Sequence, residues 1–308
     1  MSDEIVRLDA ATGAAMGVLD VDRRRHEMDE PHAVAVSPDG RHLYATLAHG
    51  EPTLWKYELP ADRLVGRLTL PAAGAARIGI TPDGEYAFVP DYDRAGTGRV
   101  GEVAVVRLHD LALLDQVPAC LAPHDAAPHP TRPLVAVVCT GSDEVVLLDT
   151  RTREEFARWH LARPGEAVRP MNAAWAPDGH TLYVALHHPA AVLALDSLGR
   201  ETGRAALNGA GAQLAIGADG RYIAAVDRVA GQLHILATDP LRTQRVVELP
   251  VRYPHGVTMD ADGGRAFVTM ENDFGAPGAV AAVAVPDGEI LWTAEAGLYP
   301  LGVAYVEP

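Results

Sequence analysis

Two segments of this 308-residue chain, PHAVAVSPDGRHLYATL from Pro31 and PMNAAWAPDGHTLYVAL from Pro170, are near copies of one another. Aligned on the turn, further copies read ARIGITPDG from Ala76, HDAAPHPTR from His124, AQLAIGADG from Ala212 and HGVTMDADG from His255. A last copy, LGVAYVEP from Leu301, is cut short. With His32 and Met171 included, successive copies begin 41 to 48 residues apart, the length of a four-stranded β unit and too long for a leucine-rich or tetratricopeptide repeat.

Within a copy, the run before Pro-Asp-Gly is small and apolar, as crowding around a central axis demands of an innermost strand. Pro fixes φ, Asp bonds nearby amides and Gly accepts positive φ, so the chain reverses there into a second strand. Those second strands read HLYATL, YAFVP, LVAVVC, TLYVAL, YIAAV and RAFVTM, and third strands follow as TLWKYEL, EVAVVRL, EVVLLD, AVLALD, QLHILA and AVAAVAV. Seven starts predict an all-β, seven-bladed β-propeller over residues 1–308 as one domain. The N-terminal EIVRLDAATGAAMGVLDV reads as third and fourth strands without a first or second, and the C-terminus as a first strand only. Both termini are therefore expected to build the last blade, closing the ring and removing an exposed sheet edge, with three strands or a rearranged pairing.

The PHxVAVSPDGxxLYVA type of repeat resembles that of the YVTN and YncE-like seven-bladed propellers, and more distantly that of lactonase-type propellers. The resemblance spans essentially the whole chain. It implies the fold and leaves the function open, because such propellers include enzymes, metal proteins and binding scaffolds.

A formal net charge of -15 repels phosphate backbones and anionic headgroups, which argues against nucleic-acid and membrane partners. No apolar run suits a signal peptide or a bilayer-spanning helix, so a cytoplasmic protein is expected, a monomer being compatible with ring closure. Cys120 and Cys139 lack the CxxC spacing of a metal site and are expected to be two small buried thiols. There is no GxSxG elbow, Walker loop or HExxH motif, which disfavours serine-nucleophile and nucleotide chemistry.

The copies differ most usefully at their opening position, which holds His32, Ala76, His124, Met171, Ala212, His255 and Leu301. In a seven-bladed ring the three His would stand at roughly 0, 100 and 260 degrees around one channel mouth. Where second strands end, the same mouth receives His187 and His188, Glu271 and Asn272, Asp91, Tyr92 and Asp93, and Asp227 and Arg228. Three or four imidazoles with a carboxylate nearby form a ligand set for Zn, Cu, Fe or Mn rather than Ca or Mg. The expectation is a metal-dependent enzyme acting on a small anionic substrate by hydrolysis, elimination or oxidation. His32, His124 and His255 would be ligands, His187 or His188 a fourth, and Glu271, with Arg77 and Tyr92, catalytic. Arg77, Arg169, Arg228 and Arg252 could grip a carboxylate or phosphate. Two alternatives stay open: a lactonase-like hydrolase without a metal, and a non-enzymatic scaffold in which the imidazoles only bond between blades. His26, His42, His109, His160, His180 and His234 are read as exposed or packed, and His129, at the turn position of Ser37, as outside the site.

Overall fold

The computed structural model describes residues 4–20, 31–47, 51–72, 74–92 and 96–307; His26 and Asp93 lie outside them. The repeat folds as its turn chemistry dictates. Ser37 Oγ donates to Asp39 at 2.6 Å, Asp39 accepts the Arg41 amide at 3.0 Å, and Gly40 takes a φ of 70°. Gly84, Gly179, Gly220 and Gly263 stand at the same point with φ of 70–73°. The HPTR copy lacks that Gly and turns on a side chain instead: His129 Nδ1 accepts the amides of Thr131 and Arg132, and Nε2 donates to the Gly179 carbonyl at 3.0 Å.

Among the described residues six four-stranded antiparallel sheets form, each running from an inner to an outer strand in chain order. Their first strands are Pro31–Val36, Gly79–Ile80, Pro123–Pro128, Pro170–Trp175, Gly211–Ile216 and Pro254–Met259. Second strands are His42–Leu47, Tyr86–Pro90, Leu134–Cys139, Leu182–Leu186, Tyr222–Asp227 and Arg265–Met270. These are buried on both faces, which is why they read as continuous apolar runs. We number these blades one to six.

The core lies between blades. Leu134, Ala136 and Val138 of blade three pack with Trp175, Leu182 and Val184 of blade four, and comparable clusters join the other consecutive blades. Polar staples reinforce the contacts: Thr46 Oγ1 donates to Ala76 O at 2.8 Å, Thr140 Oγ1 to Pro170 O at 2.7 Å and Thr269 Oγ1 to Leu301 O at 2.6 Å.

Two expectations need correction. The all-β propeller is present, but among the described residues only six complete blades form and no stitched seventh sheet does. Glu4–Leu8 and Ala15–Asp20 pair as a separate two-stranded sheet, and residues 301–307 belong to no strand. The physical reason lies in the repeat itself. Residues from Leu301 hold an innermost position and Glu4–Leu8 a third-strand position, so two strand spacings of about 4.8 Å separate them, beyond hydrogen-bonding reach. Secondly, Cys120 and Cys139 are joined in a disulfide with Cα atoms 5.9 Å apart, tying the outermost strand of blade two (Ala112–Leu121) to the second strand of blade three. Sequence spacing hides this pair because the blades bring it together through their facing sides. No helix among the described residues is long and apolar enough to cross a membrane.

Candidate functional site

A register shift falls at the opening of most inner strands, between Pro31 and Ala33, Pro123 and Asp125, Pro170 and Asn172, Gly211 and Leu214, and Pro254 and Val257. His32, His124, Met171, Ala212 and His255 therefore sit in β-bulges, which turn a side chain out of the alternation of its strand. This device gathers the three imidazoles. The His32 ring lies 6.0 Å from that of His124 and 6.0 Å from that of His255, edge to face in both cases. Tyr92 adds its ring edge-on to His124 at 4.8 Å.

Each imidazole is also tied to the backbone of its neighbourhood. His124 Nδ1 lies 2.6 Å from the Met171 carbonyl, which can only accept, so Nδ1 carries the proton and Nε2 is the acceptor nitrogen. His255 Nδ1 lies 3.4 Å from both Leu301 O and Gln213 Nε2. Burial, with the Arg228 charge and His124 nearby, pushes the His255 pKa down to about 3, so this ring is neutral at physiological pH. A Cβ at Gly302 would come within 3.0 Å of the His32 carbonyl, so the C-terminal segment closes the ring of opening positions on that side.

One residue further along the openings of blades two to five lies a second layer, of which sequence reading named only Arg77. Arg77 Nε contacts Asp125 Oδ1 at 3.1 Å. Asp125 Oδ2 accepts from Asn172 Nδ2 at 2.6 Å and from the Ala173 amide at 2.9 Å. Asn172 Oδ1 accepts the Leu214 amide at 2.8 Å, and Arg77 Nη1 donates to Gln213 Oε1, so the network spans blades two to five. The available signal was register: Arg77, Asp125, Asn172 and Gln213 occupy the same repeat position, polar where small apolar residues are expected.

The rim is electrostatically paired. Glu271, 1% exposed, receives Arg228 Nε at 3.3 Å and Nη2 at 2.5 Å, and Arg228 lies over the Tyr253 ring at 5.3 Å. Burial opposes charge on Arg228, yet its bonds to Glu271 and Tyr299 outweigh this and raise its pKa. Burial and the Glu271 charge raise that of Tyr299 in turn. Glu271 is thus placed to hold Arg228. Asp227 and Asp91 likewise serve loops: Asp227 accepts the amides of Asn208, Gly209 and Ala210, and Asp91 accepts Gly74 N and pairs with Arg99.

The remaining candidates are placed less centrally. His187 is half-buried; burial lowers its pKa, and its ring bonds the Gly211 backbone at the next blade. His188 is exposed. Arg169 and Arg252 are exposed, the latter 3.4 Å from Asp273. Among the described residues no group of three or more His, Cys, Asp or Glu side chains is arranged to hold a metal ion. Imidazoles sharing a tetrahedral metal at 2.0–2.1 Å would have centroids about 5 Å apart, and the present rings stand 6.0 Å apart.

A family model described as "Lactonase, 7-bladed beta-propeller" matches residues 4–276, covering every blade opening from His32 to His255 together with Glu271. No curated protein matches. Among solved structures, hydrazine synthase of Kuenenia stuttgartiensis is similar with a TM-score of 0.75 at 16% identity, covering 93% of this chain and 92% of that one. A functionally unknown protein from Desulfotomaculum acetoxidans DSM 771 gives 0.74 at 12% identity, covering 97% and 96%. The β-propeller domain of Myceliophteria thermophila Cps50 (Swd1) gives 0.72 at 13%, covering 91% and 92%. At these identities the likeness concerns the fold alone.

Proposed function

This chain belongs to the lactonase seven-bladed β-propeller family, and from that premise we propose that it hydrolyses a small lactone carrying an acidic group at the channel mouth. The observation that carries the reading is the convergence of His32, His124 and His255, with the His124 proton fixed on Nδ1 by the Met171 carbonyl. His124 Nε2 is the acceptor nitrogen that takes a proton from water as its oxygen attacks the lactone carbonyl. The acyl C–O bond then breaks, and the proton passes to the leaving alkoxide, giving a hydroxy acid. His255 is too weak a base for that step, and as a neutral ring it orients water or the carbonyl. Arg228, held by Glu271, offers its charge to the substrate's acidic group, and Tyr92 backs the His124 ring.

A metal-assisted version is the second reading, favoured by the His124 Nδ1–carbonyl bond, since metal-bound imidazoles characteristically anchor their other nitrogen in this way. His32, His124 and His255 would hold a Zn, Cu, Fe or Mn ion after an inward shift of the rings, with His187 as a further ligand; such an ion would polarise the carbonyl. A scaffold role is the third reading. The test is hydrolysis of acidic and neutral lactones, followed in a pH-stat, by untagged protein before and after chelation. Turnover that survives chelation supports the first reading, turnover restored by one metal supports the second, and no turnover in either state overturns both. The Cys120–Cys139 bridge further argues for an oxidising compartment, because a reducing cytoplasm keeps such pairs as thiols.

A further inference from the structure

The imidazoles of His124 and His255 meet different partners at the same ring nitrogen. His124 Nδ1 faces the Met171 carbonyl, an acceptor. His255 Nδ1 faces two groups of opposite character, both at 3.4 Å: Leu301 O, which can only accept, and Gln213 Nε2, which can only donate. The distances are equal, so the other bonds of the two partners decide which of them the ring nitrogen serves.

Gln213 is 3% exposed, and Arg77 Nη1 donates to its Oε1. A guanidinium has no acceptor, so the amide cannot turn over without setting N–H against N–H, and its NH2 group is held toward His255. Arg77 is held in turn by Asp125 Oδ1 at 3.1 Å. The Leu301 carbonyl, by contrast, is already supplied. Thr269 Oγ1 accepts the Gly256 amide at 2.8 Å and gives its own hydrogen to Leu301 O at 2.6 Å. A proton on His255 Nδ1 would therefore confront a buried amide hydrogen aimed at it, in exchange for a second bond to a carbonyl that has one. An unprotonated Nδ1 accepts from Gln213 and leaves Leu301 O with Thr269.

We propose that Gln213, held by Arg77, is a positioning residue that keeps the His255 proton on Nε2, so that the two axial rings are opposite tautomers. His124 offers an acceptor Nε2 and His255 a donor Nε2–H. Under the hydrolytic reading, on which this role rests, the rings have separate tasks. As water adds to the lactone carbonyl carbon, His124 Nε2 takes the water proton and the C=O electron pair moves onto oxygen. There His255 Nε2–H donates a hydrogen bond without giving up its proton. The acyl C–O bond then breaks, and the proton on His124 passes to the leaving alkoxide.

The test is long-range proton–nitrogen correlation on full-length protein labelled with nitrogen-15 in histidine, near pH 7.5 and without substrate, where protonated and unprotonated imidazole nitrogens resonate far apart. His255→Asn assigns the signals. In wild type the Nε2–H form of His255 is expected to dominate about tenfold or more. Gln213→Glu keeps an acceptor for Arg77 but puts a second acceptor oxygen against the ring, and is expected to move the proton to Nδ1. Gln213→Leu removes the donor, leaves Leu301 O to draw the proton, and is expected to shift the ring the same way. Gln244→Glu, the same exchange on the exposed outer strand of blade five, is expected to leave the His255 resonances and turnover unchanged. With an acidic lactone, Gln213→Glu is expected to lower kcat about 100-fold or more, the scale of a lost oxyanion donor, with KM within about twofold. A wild-type His255 protonated on Nδ1, or an Nε2 proton that survives both Gln213 substitutions, overturns the positioning role. A proton that moves while kcat stays unchanged overturns its part in the reaction. Absence of lactone turnover by wild type sinks the hydrolytic reading, and the resonances, read without substrate, still decide the tautomer.

Discussion

Replacing Asp125 with alanine removes the acceptor at the centre of the layer beneath the imidazoles. The carboxylate side chain is 4% exposed and receives Asn172 Nδ2 at 2.6 Å, the Ala173 amide at 2.9 Å and Arg77 Nε at 3.1 Å. Neither of the first two donors has an easy escape. Ala173 N is main chain in the Pro170–Trp175 strand, and the Asn172 side chain is pinned by the Leu214 amide at its oxygen. A buried donor left unsatisfied costs about 1–3 kcal/mol, so the two together cost about 4 kcal/mol. Arg77, whose side chain is 25% exposed and which keeps Gln213, turns partly to water and adds little. Arg77→Ala, by the same reasoning, costs only about 1–2 kcal/mol, because Asp125 retains two donors. Urea unfolding of the two variants and the wild type measures both numbers, with a shifted midpoint at unchanged slope as the expected form. A loss below about 1 kcal/mol for Asp125→Ala, or equal losses for the two variants, would refute the reasoning.

Cys120→Ala with Cys139→Ala opens a loop of 19 residues, which loop-closure entropy values at about 3 kcal/mol; native protein that titrates two thiols, with no loss of stability in the variant, would contradict the bridge. Burial holds the His42, His129 and His234 rings below the ordinary value of 6.5, so the unfolded chain binds more protons than the fold below that pH. Stability is expected to fall as pH drops from 7.5 to 5.5, and His129→Gln to flatten the slope, as read by urea midpoints at each pH; a pH-independent midpoint would oppose this. Arg228→Met is expected to raise KM for acidic lactones about tenfold while sparing neutral ones, and an equal effect on both would remove Arg228 from substrate binding.

Much of the fold was legible because its determinants are local and repeated. The Pro-Asp-Gly turns, the small inner runs and the apolar second strands each recur at fixed offsets, and the structure uses them as read. The proximity of His32, His124 and His255 was legible for the same reason, since they break the pattern in register, and the rings of His124 and His255 stand 6.0 Å from that of His32 without forming a metal-holding group among the described residues. Three features were hidden. The Arg77–Asp125–Asn172–Gln213 layer involves residues 136 positions apart at its ends, joined only once blades two and five are seated. Glu271 reads as a catalytic carboxylate in isolation, and only the neighbouring blade reveals that Arg228 occupies it. The closing sector was misjudged because a terminal strand was expected to find a sheet, whereas pairing requires an adjacent strand rather than one two spacings away.

The central claim is that the three imidazoles at the axis form a hydrolytic site. Its most direct test is kcat and KM for an acidic lactone with His32→Ala, His124→Ala and His255→Ala, with His109→Ala, on an exposed turn of blade two, as the distant control. The account predicts that His124→Ala lowers kcat about 100-fold or more, the usual scale for a lost general base. His32→Ala and His255→Ala are predicted to lose activity as well, with the control retaining wild-type turnover. Wild-type kcat in all three axial variants would contradict it.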